Sequence, residues 1–159
     1  MRLAKIVSGG QTGVDRGALD AALAGQFPCG GWCPADRRAE DGPIPPTYPL
    51  SPLPGAGYPE RTRQNVLDSD GTLILFDGTL TGGKLTGGTQ LTASVASAHG
   101  KPLLQIDSGL CRAPDAARAA LVWISERGIR VLNVAGPRAS GWPQGYEYTR
   151  RVIGMLLQR

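Results

Sequence analysis

The chain has 159 residues, with 23 Gly, 13 Pro and 41% hydrophobic side chains, which suits a single folded domain of the usual ~100–200 residues rather than a disordered chain, where Gly plus Pro exceeds roughly 25–30%. No apolar run approaches the ~18 residues of a membrane span, the Met1–Val7 start is too short ahead of its glycines for a signal peptide, and three cysteines, an odd number, argue against a disulfide framework and fit a reducing cytoplasm. The net charge of +4 rests on 14 Arg against 3 Lys, a complement suited to phosphate and carboxylate recognition, while the absence of a basic stripe or known module speaks against nucleic-acid binding.

Leu3–Val7 reads as a short strand running into Ser8-Gly9-Gly10. Val14–Ala24 shows helical spacing, with Val14, Ala18, Ala21 and Ala22 on one face and Gly25 as a stop. Cys29–Cys33 reads as a second strand. From Pro34 to Pro59 the chain is proline-rich and aperiodic, and a loop of that length in a compact domain is usually functional or mobile. Glu60–Leu67 reads as a short helix entered at Pro59. Thr72–Phe76 is the clearest strand, continuously apolar as a parallel strand covered on both faces should be. A glycine-rich run to Gly88 follows, then a helix over Gln90–Ala98, a strand over Pro102–Ile106, an amphipathic helix over Pro114–Arg127, a strand over Val131–Val134 and a closing helix over Gln144–Leu157. Strands alternating with helices predict right-handed βαβ crossovers on a mainly parallel sheet. The expected fold is one three-layer, Rossmann-like α/β domain over residues 1–159.

Three glycine segments fall just after predicted strands: Ser8–Gly13, Gly82–Thr89 and Ala135–Arg138. Ligands of open α/β sheets bind at the carboxyl ends of strands. Glycine there lets backbone approach a ligand closely, and a following helix offers free N–H groups and a positive dipole end. The expected ligand is an anion, most simply a phosphate. Thr12 and Asp15 have capping-box spacing; the alternative is that Asp15 faces the ligand and meets an NH or hydroxyl, with Arg16 better suited to an oxyanion. Gly78, Gly83 and Lys84 imitate a P-loop, but Leu85 replaces the Mg²⁺-holding hydroxyl. The helix is expected to open at Gly88-Thr89 instead, with Thr89 toward the ligand. Arg138 reads as a phosphate clamp or a surface ion pair.

Gly9-Gly10-Gln11-Thr12-Gly13-Val14-Asp15, Gly31-Trp32-Cys33-Pro34, Arg38-Ala39-Glu40-Asp41-Gly42 and Tyr48-Pro49-Leu50 resemble the molybdenum cofactor carrier proteins, as do Arg61-Thr62, Asn65-Val66, Asp68–Thr72, Gly87-Gly88-Thr89 and Asn133–Arg138. The order is kept over nearly the whole chain. The resemblance places the chain in a circularly permuted branch of the Rossmann-like proteins that bind nucleotide-derived ligands. It implies a carrier, commonly a homo-tetramer, holding the pterin-phosphate cofactor or molybdate and serving a molybdoenzyme or a cofactor-insertion partner. The implied binding residues are Gly9, Gly10, Gln11, Thr12, Gly13, Arg38, Gly87, Gly88, Thr89, Gly136 and Arg138. Asp36, and Ser51-Pro52 after Tyr48-Pro49-Leu50, depart from the family pattern. Lonely-guy-type phosphoribohydrolases share the superfamily and place a catalytic Glu three residues after the Gly-Thr. Thr92 stands there, and a threonine supplies neither the charge nor the base of a carboxylate. An enzyme reading would need Glu40, Asp41 or Asp68; a third reading is a ligand sensor.

In the Arg37–Asp41 segment the alternatives are a solvated turn, or Arg38 on an anion with Glu40 or Asp41 ordering the loop. Trp32 and Tyr48 are stacking candidates or buried aromatics. Cys29 and Cys33 lack the second pair that zinc would need, so no zinc is expected. His99 sits at a helix end, and Asp68 and Asp70 read as turn formers.

Overall fold

The computed structural model describes residues 2–158. Strand β1 (Lys5–Val7) leads into helix α1 (Val14–Ala24), and the short strands β2 (Cys29–Gly30) and β3 (Trp32–Cys33) follow. The expected single strand over 29–33 is broken at Gly31, whose φ of 124° turns the chain where a side chain would collide with the Ser8 backbone. The proline-rich stretch forms a hairpin, β4 (Arg38–Ala39) with β5 (Gly42–Pro43), and a strand β6 (Ser51–Pro52) that pairs with β3. Then come α2 (Tyr58–Asp68), β7 (Gly71–Phe76), the single turn α3 (Gly78–Thr81), α4 (Gly87–Ala98), β8 (Leu103–Asp107), α5 (Ala113–Arg127), β9 (Val131–Ala135) and α6 (Gly145–Leu157).

Five strands form one parallel sheet in the order β2-β1-β9-β7-β8. Strand β7 lies between β9 and β8, and every one of its residues is buried, as its apolar sequence requires. Leu73 and Leu75 face the larger core, where Val14, Ala18, Trp123, Leu132 and Ile153 pack α1, α5 and α6 on the sheet. The opposite layer is α2 on α4, around Val66, Val95 and Ala96. The result is the expected three-layer α/β architecture. A smaller cluster of Leu19, Cys33, Ala39, Ile44 and Leu50 lies under the hairpin.

Two carboxylates set strand ends. Asp70 Oδ2 accepts from the amides of Arg130 (3.0 Å) and Val131 (2.8 Å), fixing where β9 enters beside β7. Asp68 accepts from Trp32 Nε1 at 2.8 Å, so this indole is tethered to α2. The Asn65 side chain pairs with both backbone groups of Trp32, at 2.8 and 3.0 Å, and so extends β3 where no strand is available. With β1, β9 and β7 adjacent, the segments after their carboxyl ends converge on one edge.

Candidate functional site

That edge holds a cavity of about 380 Å³, walled by the segments after β1 and β9 and by the amino-terminal turns of α2 and α4. Six of the eleven residues expected from the sequence line it: Gln11, Gly87, Gly88, Thr89, Gly136 and Arg138.

The second glycine cluster behaves as its composition suggests. Thr86, extended at φ −134°, precedes the helix, and the first intrahelical bond is Gln90 N–H to Thr86 O at 3.2 Å. The amides of Gly87, Gly88 and Thr89 come before that bond and are the orphan donors of a helix start. No side-chain cap engages them among the described residues. A methyl added at Gly87 or Gly88 would meet nothing within 4 Å, so this turn opens onto free space. Thr92, one turn on, spends its hydroxyl on Gly88 O at 2.8 Å.

The first cluster works differently. Thr12 does not cap α1: its hydroxyl donates to Glu40 and accepts from Ala139 N–H at 3.0 Å. Gly13, at φ 81°, is the residue ahead of the helix, and Val14 N–H is met by Pro137 O at 3.4 Å. The capping-box expectation is therefore corrected. The loop after β9 closes this terminus, and Asp15 turns back to accept from Gln11 N–H at 3.1 Å. Gly10, also at φ 81°, sits where a methyl group would collide with Leu50 and Ile44 below the hairpin. Gln11 lines the cavity, but its carbonyl is occupied by the amides of Thr12 (3.1 Å) and Glu40 (2.8 Å). These residues support the cavity wall and its shape.

Charge in the cavity comes from Arg61, Arg138 and Asp15. Asp15 is 5% exposed, and burial raises its carboxyl above the ordinary range, with Arg61 nearby opposing the shift. Arg138 is 56% exposed and stands 4.0 Å from Glu40. Glu40 in turn accepts from Thr12 and from the Ser140 amide (3.1 Å) and hydroxyl (2.7 Å), which holds its carboxyl below the usual range. Arg38 lies outside the lining, 3.7 Å from Asp36 and 5.6 Å from the Tyr58 ring. Arg16 is bound bidentately by Asp41 at 2.6 and 2.9 Å. Each carboxylate considered for hydrolysis is thus engaged elsewhere: Glu40 by Thr12 and Ser140, Asp41 by Arg16, and Asp68 by Trp32.

Arg61 is the charged residue of the lining that no glycine motif in the sequence points to. Its guanidinium lies on Gly9 from α2 and 5.4 Å from the Tyr58 ring. Its sequence signal was only the Arg61-Thr62 pair in the family pattern. Cys29 and Cys33 are free thiols, pushed up by burial, and among the described residues no three His, Cys, Asp or Glu gather to hold a metal ion. The groups offered to the cavity are instead orphan amides, hydroxyls and guanidinium groups.

Fold and site together define an open α/β protein with a small-molecule cavity at the carboxyl edge of its sheet. Residues 6–157 match the circularly permuted YpsA SLOG family, and the chain belongs to it. Among solved structures it is similar to one from Syntrophus aciditrophicus named a putative molybdenum carrier protein, at 45% identity and TM-score 0.92, over 98% of this chain and 96% of that one. No curated protein matches.

Proposed function

We propose that this protein binds and carries a molybdenum-bearing anion, either the pterin-phosphate cofactor or molybdate, in the cavity at the α4 terminus. The observation that carries this reading is the convergence of the uncapped Gly87–Thr89 amides with Arg138 at one opening. A phosphate or molybdate oxygen accepts from such amides, and the helix dipole favours its charge. Arg138 exchanges its long contact with Glu40 for a charge-assisted bond to the ligand. The name of the Syntrophus aciditrophicus structure supports the choice of metal.

These donors fit such a group without supplying a metal ligand of their own, so the metal travels as part of the anion or its organic carrier. Bound cofactor would supply the phosphate and the metal-binding dithiolene; the chain supplies orientation and exclusion of water. Protein purified from a cofactor-producing host, oxidised and denatured, should release a fluorescent pterin, or calorimetry should register molybdate. The absence of both released pterin and molybdate heat would overturn the proposal. Incubation with nucleoside monophosphates should release no free base.

A further inference from the structure

We infer that Arg61, seated on Gly9, is a second anchor of the same cavity, and that the site selects an elongated ligand with a phosphate-like group at one end and a second anion or hydrogen-bond acceptor at the other. The inference rests on the reading of the α4 terminus as an oxyanion site and assigns what lies beyond it.

The guanidinium crosses from α2 to the end of β1 and lies directly on the Gly9 backbone. A methyl on Gly9 would stand 2.8 Å from Arg61 Cζ and 3.0 Å from its Nε. Glycine is needed here to seat the arginine rather than to admit the ligand.

Counting donors exposes the vacancy. A guanidinium carries five N–H groups. Arg61 Nη1 donates to Thr62 Oγ1 at 3.0 Å, while Nε is buried without a hydrogen-bond partner among the described residues. Nη2 likewise makes no hydrogen bond among the described residues and, unlike Nε, is not sealed from solvent, so an acceptor arriving in the cavity that Arg61 lines pairs with it and offsets the cost of an unmade charged donor. Asp15 acts on Arg61 through space but is not within ion-pair distance of it. The Arg61 guanidinium stands 5.4 Å from the ring of Tyr58, which lines the same cavity.

Topology sets the span. Strands β1 and β7 flank β9, so their ends lie two strand spacings apart, on the order of 10 Å. Arg61 sits at the β1 end. The α4 terminus sits beyond β7, sharing a small recess with Phe76 and Asp77. A single tetrahedral oxyanion is too small to meet both. The volume of about 380 Å³ likewise falls in the range of cofactor-sized ligands.

Calorimetric titration of the full chain with inorganic phosphate, hexyl phosphate and hexane-1,6-diyl bisphosphate tests this. The bisphosphate should bind at least about tenfold more tightly than hexyl phosphate, because its second group engages intramolecularly. Arg61→Gln should abolish that advantage and leave inorganic phosphate within about twofold of wild type, Arg61→Lys should restore part of it, and Arg138→Gln should weaken all three ligands. If Arg61→Gln fails to fold, Gly9→Ala displaces the guanidinium with the arginine retained and should lose the same advantage. A bisphosphate no tighter than hexyl phosphate on wild type, or an equal loss for phosphate and bisphosphate in Arg61→Gln, overturns the second anchor alone. No binding of any of the three to wild type overturns the underlying oxyanion site as well.

Discussion

Gly88 and Gly136 both wall the cavity, yet a methyl group meets opposite surroundings at the two positions. At Gly136 it would stand 2.6 Å from Val14 Cγ2 and press on the Leu75 carbonyl, neither of which can give way. Gly136→Ala should destabilise the protein by about 2–3 kcal/mol through overpacking, read as a fall in the denaturation midpoint. At Gly88 the methyl meets nothing within 4 Å, and the backbone has no positive φ. Gly88→Ala should therefore stabilise the fold by about 0.4–1 kcal/mol through the unfolded chain's lost freedom, while the methyl narrows the opening and weakens anion binding in calorimetry. Asp15 makes a different prediction. Burial raises its folded value above that of the unfolded chain, so its protonated form suits the fold. Stability from this group is fullest below the unfolded value and is lost as pH rises through the folded one. Asp15→Asn cannot ionise but still accepts from Gln11 N–H. It should melt several degrees above wild type at neutral pH, and the gap should close in acid, below about pH 4.

At the scale of elements, the sheet and its main helices were legible because each carries its own period. Val14–Ala24 reads as a helix and is one, and the apolar run of β7 is buried end to end. The hairpin β4–β5 and strand β6 were not legible, since they are held by tertiary bonds. Arg37, at φ 54°, sends its guanidinium to the carbonyls of Leu50 (3.0 Å) and Pro45 (3.2 Å) and so gathers the proline-rich stretch around one side chain. No local pattern encodes that, and the same holds for Arg61 lying on Gly9 from another element. Strand-end glycines located the cavity but not their division of labour. Those at 87–88 open it, while those at 10 and 13 seat neighbouring loops. Glu40 joins the hairpin to the loop after β9 through Thr12 and Ser140. Glu40→Ala should cost about 1 kcal/mol, the lower end for bonds to charge at a partly exposed site. It should also raise amide exchange at Ala139 and Ser140 while leaving the β7 amides unchanged. In the wild type, the depressed Glu40 value means that this strap holds at neutral pH and is released as pH falls through that value.

Across the whole molecule, the cavity is closed by residues from near both ends of the chain. Ser8 Oγ donates to Val134 O at 2.9 Å, and Ala139 N–H reaches Thr12 across 127 positions. Tyr146 on α6 donates its phenol to Asp20 on α1. The cavity therefore cannot open to the unfolded state piece by piece; losing the α1–α6 packing loses its wall. Ligand binding is then linked to global unfolding, and a bound anion should shift the entire transition. At a ligand concentration of about 100 times Kd, linkage adds about 2.7 kcal/mol, which for a domain of this size raises Tm by about 5–10 °C. Because the chain carries +4 net charge, anions also act nonspecifically, and added salt screens exposed contacts within a Debye length. Arg138→Ala separates the two effects. It leaves the charge at +3, close to wild type, yet removes a cavity guanidinium. The nonspecific part of the anion-induced shift should survive in this variant while the specific part collapses. A shift equal in wild type and Arg138→Ala would place the anion elsewhere on the surface.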